Sequence, residues 1–410
     1  VIAILAVLKT GAVFIPMGNE YDSNKIKHVI KDSHVKGILA DHKRYEENTF
    51  IDEMVDFVLF ADEFMKEKVS LYSSEFEQKC KPKDSAYIIY TSGTTGLPKG
   101  VEITNRNLMN YVYWAMTNYI EDEVKDFAFF TSVSFDLTLT SIFTPLIAGS
   151  TVHIYEGDDV VSILKRIVQD KKVQIIKLTP SHLQFLICLD CKESVIKRII
   201  VGGENLPGRL AQTVWEAFLD GVDIINEYGP TEATVGCMIY HYRPETDKEE
   251  VSVPIGKPAA NTKIYLLDQN GIIVPPGIKG EICISGDSVA KRYVNDKKHT
   301  SEKFMAHPLL QNTVMYRTGD LAYMNEKGDL VYIGRNDKQV KLNGYRIELG
   351  EIEQTLLKHK GIRNAVAVVH ECNNMKYLVV YAVPDNNAIR EKELKDFMKS
   401  KLPGYMIADQ

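Results

Sequence analysis

The sequence is poor in cysteine and tryptophan, and it has no long hydrophobic run. Its 410 residues include six cysteines and two tryptophans. So few cysteines cannot form the disulfide framework of a small secreted domain, and we expect a reducing, cytoplasmic environment. The apolar run VIAILAVL at residues 1–8 is far shorter than the roughly 20 residues that a membrane helix requires. A membrane span is therefore excluded.

The chain also lacks an excess of positive charge. It carries 49 Lys and Arg against 55 Asp and Glu, a formal net charge of −6. A general cationic field that would attract nucleic acid or an anionic membrane is therefore excluded, and any anion must be bound locally. The composition, 45% hydrophobic and 25% charged, is typical of a globular chain with two or three domains.

The order of apolar runs predicts an α/β fold with three parts. Over residues 1–252, short β-rich runs alternate with helical stretches, which predicts a body of doubly wound sheets. Over residues 253–336, strands punctuated by Gly and Pro predict a smaller β-rich subdomain of the same large domain. Residues 337–410 predict a small, separate α+β C-terminal lid that begins with the hairpin-like KQVKLNGYRIEL.

The segment YTSGTTGLPKG at residues 90–100 predicts a phosphate-binding loop. Hydroxyls, glycines that let backbone amides approach a ligand, and one cation are what a polyphosphate needs. The order differs from the GxxxxGK[ST] of a Walker loop. We expect the loop to lead from a strand into a helix, as phosphate sites often do. The candidate phosphate-binding residues are Thr91, Ser92, Gly93, Thr94, Thr95, Gly96 and Lys99.

Further motifs follow in order along nearly the whole chain. They are LKTGAVFIP (8–16), FDLTLTSIF (135–143), GGENL (202–206), NEYGPTEATV (226–235), GEICISG (280–286), YRTGDLA (316–322), GRNDKQVKLNGYRIELGEIE (334–353) and LPGYMI (402–407). With the phosphate loop, they make the chain resemble the amino-acid adenylation domains of nonribosomal peptide synthetases, within the superfamily of adenylate-forming, AMP-binding enzymes. The resemblance implies the adenylate-forming enzyme fold.

The resemblance also implies a reaction and partners. In that family a carboxylate attacks the α-phosphate of ATP in the presence of Mg²⁺, which gives an acyl adenylate and pyrophosphate. The acyl group then passes to the phosphopantetheine thiol of a peptidyl carrier protein. Carrier and condensation domains on the same long chain are the implied partners, and biosynthesis of a peptide antibiotic is the implied setting. The enzyme mainly positions the reactants and neutralises charge.

By resemblance, a second group of residues binds the nucleotide. Tyr228 stacks on adenine, and Asp320 accepts both ribose hydroxyls, which a carboxylate can do. Glu232 holds Mg²⁺, a hard cation that prefers oxygen ligands shared with phosphates. Arg335 lies beside ribose and phosphate, and Asp337 is the hinge of the lid. The nucleotide site also includes Gly203, Glu204, Asn226, Gly229 and Thr231, and the implied catalytic residues are Thr95, Lys99, Glu232 and Arg335.

The implied substrate pocket contains an acidic residue and a pair of opposite charges. Its residues are Asp136, Leu137, Thr140, Lys177, Ile200, Gly202, Glu227, Val235 and Gly236. In the family Asp136 pairs with the α-ammonium of an amino acid. Lys177 offers only donors and Glu227 only acceptors, so a carboxamide side chain satisfies both, whereas an aspartate carboxylate would oppose Glu227. Asparagine is preferred to glutamine by resemblance alone. The alternative is a mutual Lys177–Glu227 salt bridge that only lines the wall.

The chain departs from the family at its end. The family's catalytic lysine follows LPGYMI, and the sequence stops at Gln410, so we expect a piece of a larger domain that is truncated at both ends. Two other functions remain open. One is an acyl-CoA or aryl-acid ligase of the same superfamily, and the other is a catalytically silent fragment that binds nucleotide and amino acid.

Overall fold

The structure is a computed structural model of the whole chain. It describes residues 1–64, 80–92, 98–157, 159–307, 310, 313–337, 339–342, 344–372, 375–385 and 389–410. Four of the predicted phosphate-loop residues, Gly93, Thr94, Thr95 and Gly96, lie outside the described residues.

The described part of the chain contains 21 strands. In chain order they are β1 Gly37–Ala40, β2 Phe57–Phe60, β3 Ser85–Thr91, β4 Lys99–Thr104, β5 Phe127–Phe129, β6 Val152–Ile154, β7 Ile175–Leu178, β8 Arg198–Gly202, β9 Asp223–Tyr228, β10 Met238–His241, β11 Lys257–Pro258, β12 Thr262–Leu267, β13 Gly280–Gly286, β14 Arg292–Tyr293, β15 Phe304–Ala306, β16 Val314–Met324, β17 Leu330–Arg335, β18 Gln339–Leu342, β19 Tyr345–Glu348, β20 Ile362–Cys372 and β21 Met375–Pro384.

The helices of the described residues are mostly short. They are α1 Ile2–Lys9, α2 Ser23–Ser33, α3 His42–Glu46, α4 Ala61–Phe64, α5 Asn105–Tyr119, α6 Leu137–Ile147, α7 Val160–Asp170, α8 Pro180–Leu183, α9 Gly208–Ala217, α10 Pro244–Asp247, α11 Lys297–Lys303, α12 Leu349–Leu356 and α13 Glu391–Lys399. None of these described helices is long and apolar enough to cross a membrane.

A seven-stranded sheet forms the centre of the body, with the strand order β11-β10-β9-β8-β7-β5-β6. Strands β5 to β9 pair in parallel, whereas β10 and β11 are antiparallel at one edge. Ile176, Ile199 and Ile224 pack in a core with α7 and α9. Their neighbours Ile175, Ile200 and Ile225 pack in a second core with α5 and α6. Both faces of the sheet are therefore covered, as in the predicted doubly wound fold.

The segment 253–336 builds a five-stranded sheet from β12, β13, β15, β16 and β17. Two short strands of the same segment join sheets of the body instead. Strand β11 extends the seven-stranded sheet beside β10, and β14 pairs with β4 in a three-stranded sheet of the order β14-β4-β3. The β-rich segment is thus tied to the body through hydrogen-bonded strands.

The expectation that the phosphate loop leads into a helix is wrong. Residues 99–104 form β4, which pairs antiparallel with β3, so the loop joins two strands. In the sequence KGVEIT, the buried β-branched residues Val101 and Ile103 occupy alternate positions, which suits a strand. Helix α5 begins only at Asn105, because Thr104 and Asn107 form a reciprocal capping box there.

The lid has the predicted α+β composition. It begins with the hairpin β18–β19, continues with α12 and the long hairpin β20–β21, and ends with α13. Its own core includes Ile347, Ile352, Leu356, Leu378 and Met406, all buried. The lid therefore has a core separate from those of the body, and its first hairpin lies against the body.

Candidate functional site

Alternation along the central strands places the predicted pocket residues on one face of the sheet. Lys177 lies two residues after Ile175 on β7, and Glu227 lies two residues after Ile225 on β9, so both face the side of α5 and α6. Gly202 on β8 is the register partner of Glu227. A side chain at Gly202 would meet the Glu227 backbone oxygen at 3.1 Å, so glycine leaves room beside the carboxylate.

Lys177 and Glu227 form a direct ion pair between Nζ and Oε2, with 1% and 3% of their side chains exposed. The Lys177 ammonium also donates to Thr140 Oγ1 at 2.7 Å. Gly236 lies against the Glu227 carboxylate, and a Cβ there would overlap it. The mutual salt bridge weighed from the sequence is therefore present, and both side chains still line the cleft between body and lid.

Two tyrosines that the sequence reasoning missed complete this group. The hydroxyls of Tyr111 and Tyr119 on α5 each donate to Glu227 Oε1 at 2.8 Å. They are eight residues apart, so they share one helix face. That spacing could have indicated that both side chains are buried together, although nothing in it names Glu227 as their partner.

Asp136 lies just before α6 and lines the same cleft. Burial raises the pKa of its carboxyl to about 6, while Thr231 and Lys177 act in the opposite direction. The carboxylate is ionised at neutral pH and faces the space beside the Lys177–Glu227 pair. A cationic group of a ligand would stabilise that ionised form.

Most of the predicted residues share this cleft or a recess beside it. Those that line the cleft are Thr91, Ser92, Asp136, Leu137, Lys177, Gly202, Gly203, Glu227, Gly229, Thr231, Val235, Asp320 and Arg335. Those that line the recess are Gly203, Glu204, Asn226, Glu227, Tyr228 and Gly229. Sequence-distant motifs thus meet in one continuous region.

Six predicted residues within the described ranges line neither space, and one of them is the hinge residue Asp337. Thr140 contacts Lys177, and Ile200 is buried in the core of α5 and α6. Gly236 lies under Glu227. Glu232 and Lys99 lie close to Tyr293, whose ring centroid is 5.9 Å from the Lys99 ammonium.

Asp320 joins the recess to the hinge. Its Oδ2 accepts from the Tyr228 hydroxyl at 2.6 Å, and its Oδ1 accepts from Arg335 Nη1 at 2.6 Å. Arg335 in turn donates to both carboxylate oxygens of Asp337 at 2.7 and 2.8 Å. The predicted adenine, ribose and hinge residues are therefore linked in one chain of charge-assisted hydrogen bonds.

Glu232 is fully buried and pairs with an arginine of the lid. Arg346 Nη1 donates to both carboxylate oxygens at 3.1 and 3.0 Å, and the Tyr293 hydroxyl donates to Oε1 at 2.6 Å. Burial alone would raise the pKa of Glu232, but the Arg346 charge and the Tyr293 hydroxyl lower it to about 2. The lid thus supplies a positive charge where the resemblance implies Mg²⁺.

The hairpin β18–β19 makes further contacts with the body, among them the following three. The Ser92 hydroxyl donates to the Arg346 carbonyl at 2.5 Å. The Gly344 amide donates to the Glu204 carboxylate. Lys341 Nζ lies 5.7 Å from the centre of the Tyr228 ring. Because Gly344 has a φ of +80°, the turn fits glycine well, and it faces the cleft.

Comparisons with known proteins show the family to which the chain belongs. Residues 1–294 match the family described as AMP-binding enzyme, and residues 351–410 match the AMP-binding enzyme C-terminal domain. The chain belongs to the AMP-binding enzyme family. It is 45% identical over 410 residues to tyrocidine synthase 3 of Brevibacillus parabrevis and 47% identical to bacitracin synthase 3 of Bacillus licheniformis. These alignments cover 99% of this chain but 6% of each relative.

Solved structures show the same fold. An artificially fused adenylation–carrier di-domain from Klebsiella oxytoca superposes with a TM-score of 0.85 at 23% identity, covering 100% of this chain and 80% of that one. Holo-PA1221, a peptide-synthetase protein with adenylation and carrier domains, superposes with a TM-score of 0.84 at 25% identity, covering 99% and 68%. The fold is that of the adenylate-forming enzymes, as predicted from the motifs.

Replacing Arg346 by alanine should destabilise the protein in a pH-dependent way. The folded-state pKa of Glu232, about 2, lies below the ordinary 4.5. The stabilisation is therefore complete above about pH 4.5 and is lost as the pH falls towards 2. Since a buried charge without its partner costs about 3–5 kcal/mol, we expect a lower free energy of unfolding at pH 7 and a smaller difference near pH 3. Denaturant unfolding of both proteins between pH 3 and pH 7 measures the difference in the free energy of unfolding.

Arg363→Ala is the matched control, because this arginine of the same lid is exposed. It should leave the free energy of unfolding unchanged at every pH. If Arg346→Ala were as stable as the parent at pH 7, or were destabilised equally at all pH values, the ion pair would not have the strength described.

Proposed function

We propose that this chain activates an amino acid, L-asparagine, with ATP, and then passes it to the phosphopantetheine thiol of a carrier protein. The observation that carries the proposal is the joint placement of Asp136 and the Lys177–Glu227 pair in the cleft that also reaches Asp320 and Arg335. An amino-acid site and a nucleotide site so arranged would bring a carboxylate to an α-phosphate.

Asp136 would bind the α-ammonium of the substrate. It is ionised at neutral pH and lies at the cleft. An acid without an ammonium group would leave this carboxylate without a cationic partner. For this reason a fatty or aryl acid fits the site less well than an amino acid does.

The Lys177–Glu227 pair would recognise the substrate side chain. A carboxamide NH₂ can donate to Glu227 while its oxygen accepts from Lys177. An aspartate carboxylate would face Glu227 at close range, where like charges cost on the order of several kcal/mol. An apolar side chain would cover this polar pair without offering it a hydrogen bond, so an apolar amino acid fits the site less well than asparagine does. Asparagine over glutamine follows from the resemblance of the residue set alone.

The nucleotide would lie along the recess and the phosphate loop. Tyr228 would stack on adenine, Asp320 would accept from the ribose hydroxyls, and Arg335 and Lys99 would neutralise phosphate charge. Thr91 and Ser92 line the cleft where the loop begins. Burial lowers the pKa of Lys99, and the carboxylates around it offset this only in part. These residues supply the positioning on which adenylate formation depends.

A magnesium ion fits the donor set at Glu232. A single carboxylate together with phosphate oxygens is a usual Mg²⁺ environment, and the described residues contain no group of three or more His, Cys, Asp or Glu that could enclose a metal on their own. Glu232 would hold the ion once Arg346 has withdrawn. When bound, the ion would neutralise phosphate charge.

In the proposed first step, an oxygen of the amino-acid carboxylate attacks the α-phosphorus of ATP. The bond from that phosphorus to the bridging oxygen breaks, and pyrophosphate leaves. Asp136 holds the ammonium, and Lys99 and Arg335 stabilise the negative charge that develops on the phosphates. The side chains therefore orient the reactants, and no covalent bond to the protein is needed.

In the proposed second step, the pantetheine sulfur attacks the carbonyl carbon and AMP leaves, with the thiol proton released to water. The lid position described here places the Gly344 turn at the cleft. We propose that the lid turns between the two steps and presents a different face to the cleft in each. Arg346 would then pair with Glu232 in only one of the two lid positions.

The chain spans about 6% of the length of the first two relatives. We propose that it works within a long cytoplasmic peptide synthetase, beside carrier and condensation domains, in the biosynthesis of a peptide antibiotic. The names of the relatives, tyrocidine synthase and bacitracin synthase, support this setting.

Amino-acid-dependent exchange between ATP and pyrophosphate tests the proposal. The chain is expressed with its native flanking sequence and is assayed with Asn, Asp, Gln, Leu and benzoate. Exchange with Asn well above the others is the expected result. Exchange led by Asp or Leu would overturn the side-chain proposal, exchange with benzoate would favour an aryl-acid ligase, and exchange with none would favour a silent binding fragment.

Glu227→His should shift the preference towards aspartate. The substitution removes the carboxylate that repels an aspartate side chain and adds a group that can be cationic. We expect the ratio of kcat/KM for Asn to that for Asp to fall by about 100-fold or more, on the basis of a like-charge contact of several kcal/mol. Glu326→His, at an exposed turn, is the control. Full asparagine selectivity in Glu227→His would refute the donor–acceptor arrangement.

The use of the amino acid should also depend on pH through Asp136. Its pKa of about 6 is above the ordinary 3.8, so the free enzyme loses the carboxylate as the pH falls below 6. We expect kcat/KM for the amino acid to be level above pH 7 and to fall about tenfold per pH unit below 6. Steady-state exchange kinetics measure the profile. A profile that stays level down to pH 5 would exclude Asp136 as the ammonium partner.

A further inference from the structure

Behind the Lys177–Glu227 pair lies a layer of three hydroxyl side chains, those of Tyr111, Tyr119 and Thr140, and the two tyrosines lie outside the predicted substrate pocket. Tyr111 and Tyr119 are fully buried on α5, and Thr140 is fully buried on α6. Among the described residues, Lys177 and Glu227 line the cleft, whereas these three hydroxyl side chains do not. The layer therefore reaches the substrate only through the charged pair.

The hydrogen bonds of the group can be assigned atom by atom. Both tyrosine hydroxyls donate to Glu227 Oε1 at 2.8 Å. Lys177 Nζ contacts Glu227 Oε2, Thr140 Oγ1 at 2.7 Å and the Tyr111 oxygen at 3.1 Å. Thr140 Oγ1 lies 2.5 Å from the Tyr111 oxygen. Since the Tyr111 hydrogen goes to Glu227, Thr140 is the donor in that contact. Every polar hydrogen of the group then has an acceptor inside it.

This assignment determines what the pair can offer a substrate. Each carboxylate oxygen has two lone pairs. The two tyrosines fill those of Glu227 Oε1, and Lys177 fills one of those of Oε2. One acceptor site on Glu227 Oε2 therefore remains, and the Glu227 side chain lines the cleft. The three hydrogens of Lys177 are already in use, so the floor of the cleft presents an acceptor first.

We propose that Tyr111 and Tyr119 are specificity-determining residues of the amino-acid site. By occupying Oε1 they fix the orientation of Glu227 and stabilise its charge, so that Oε2 selects a substrate side chain that donates a hydrogen bond. Burial and the Glu227 charge raise the pKa of both hydroxyls well above 10, so both keep their hydrogens over the physiological range. The proposal rests on the proposed amino-acid site.

The same layer also determines how a carboxamide enters. Its NH₂ meets the open site on Oε2 directly. Its oxygen can accept from Lys177 only if one of the contacts to Thr140 or Tyr111 is exchanged for it. Those two contacts are to neutral oxygens, so they are the weaker ones to exchange. An aspartate side chain could also accept from Lys177 after the same exchange. Its second oxygen would then face the negatively charged Glu227 Oε2, and the two tyrosines hold the Glu227 carboxylate in this orientation.

Tyr119→Phe is the sharpest test, because it removes a single donor and keeps the ring. A hydrogen bond to a charged group is worth about 1.5–3 kcal/mol, so without it Glu227 is held less firmly, and Oε2 discriminates less well between a carboxamide and a carboxylate. We expect the ratio of kcat/KM for Asn to that for Asp to fall about tenfold or more, with the change mainly in KM. Tyr111→Phe should act in the same direction.

Two controls separate this role from a structural one. Tyr113→Phe changes an exposed tyrosine of the same helix and should leave the ratio unchanged. In a Glu227→Gln background, Tyr119→Phe should have no further effect on the ratio, because its partner carboxylate is gone. Thermal unfolding of each variant shows whether it is folded.

The outcomes are distinct from those for the proposed function. If the parent prefers an amino acid other than asparagine, the asparagine proposal fails, and the inference is then judged on whether Tyr119→Phe alters the observed preference. Folded Tyr119→Phe and Tyr111→Phe variants that keep the parental preference would overturn the inference. An equal effect of Tyr119→Phe with and without the Glu227 carboxylate would overturn it as well.

Discussion

The organisation of the cleft depends on one buried ion pair, Lys177 with Glu227. Two charges this far from water are stable only when their hydrogen-bonding groups are satisfied. Four elements therefore converge on the pair: β7 and β9 carry the charges, while α5 and α6 bring Tyr111, Tyr119 and Thr140 against them. Neighbouring positions are kept small, as at Gly236, where a Cβ would overlap the carboxylate. The residues that satisfy the ion pair thus also determine the shape of the cleft beside it.

A second buried carboxylate, that of Glu232, connects the body to the lid, because it too needs a partner for its charge. In the described position the lid satisfies it through Arg346, and Tyr293 adds a hydrogen bond. A cation that replaced Arg346 at Glu232 would also remove one of the contacts that hold the hairpin β18–β19 against the body. Charge at one buried carboxylate would then be coupled to the position of a whole domain, as expected of a lid with two working positions.

The sequence predicted much of the fold and about half of the residues that line the cleft, and the reasons are local. Short β-rich runs that alternate with helical stretches over residues 1–252 indicate the doubly wound body, and the motif order groups Asp136, Asp320 and Arg335 as site residues. The strand after the phosphate loop was missed, because a glycine-rich loop was taken to precede a helix. Arg346 and Tyr119 were missed for another reason: their carboxylate partners lie 114 and 108 residues away in sequence, and no local pattern encodes such contacts.

A competition between amino acids measures most directly whether the site is specific for asparagine. The chain with its native flanking sequence is given ATP, Mg²⁺ and all twenty amino acids at equal concentration, and hydroxylamine traps the activated acyl groups for mass spectrometry. Asparagine hydroxamate is the expected main product. A dominant hydroxamate of an apolar amino acid or of aspartate would contradict it, because neither offers the Lys177–Glu227 pair a donor and an acceptor together.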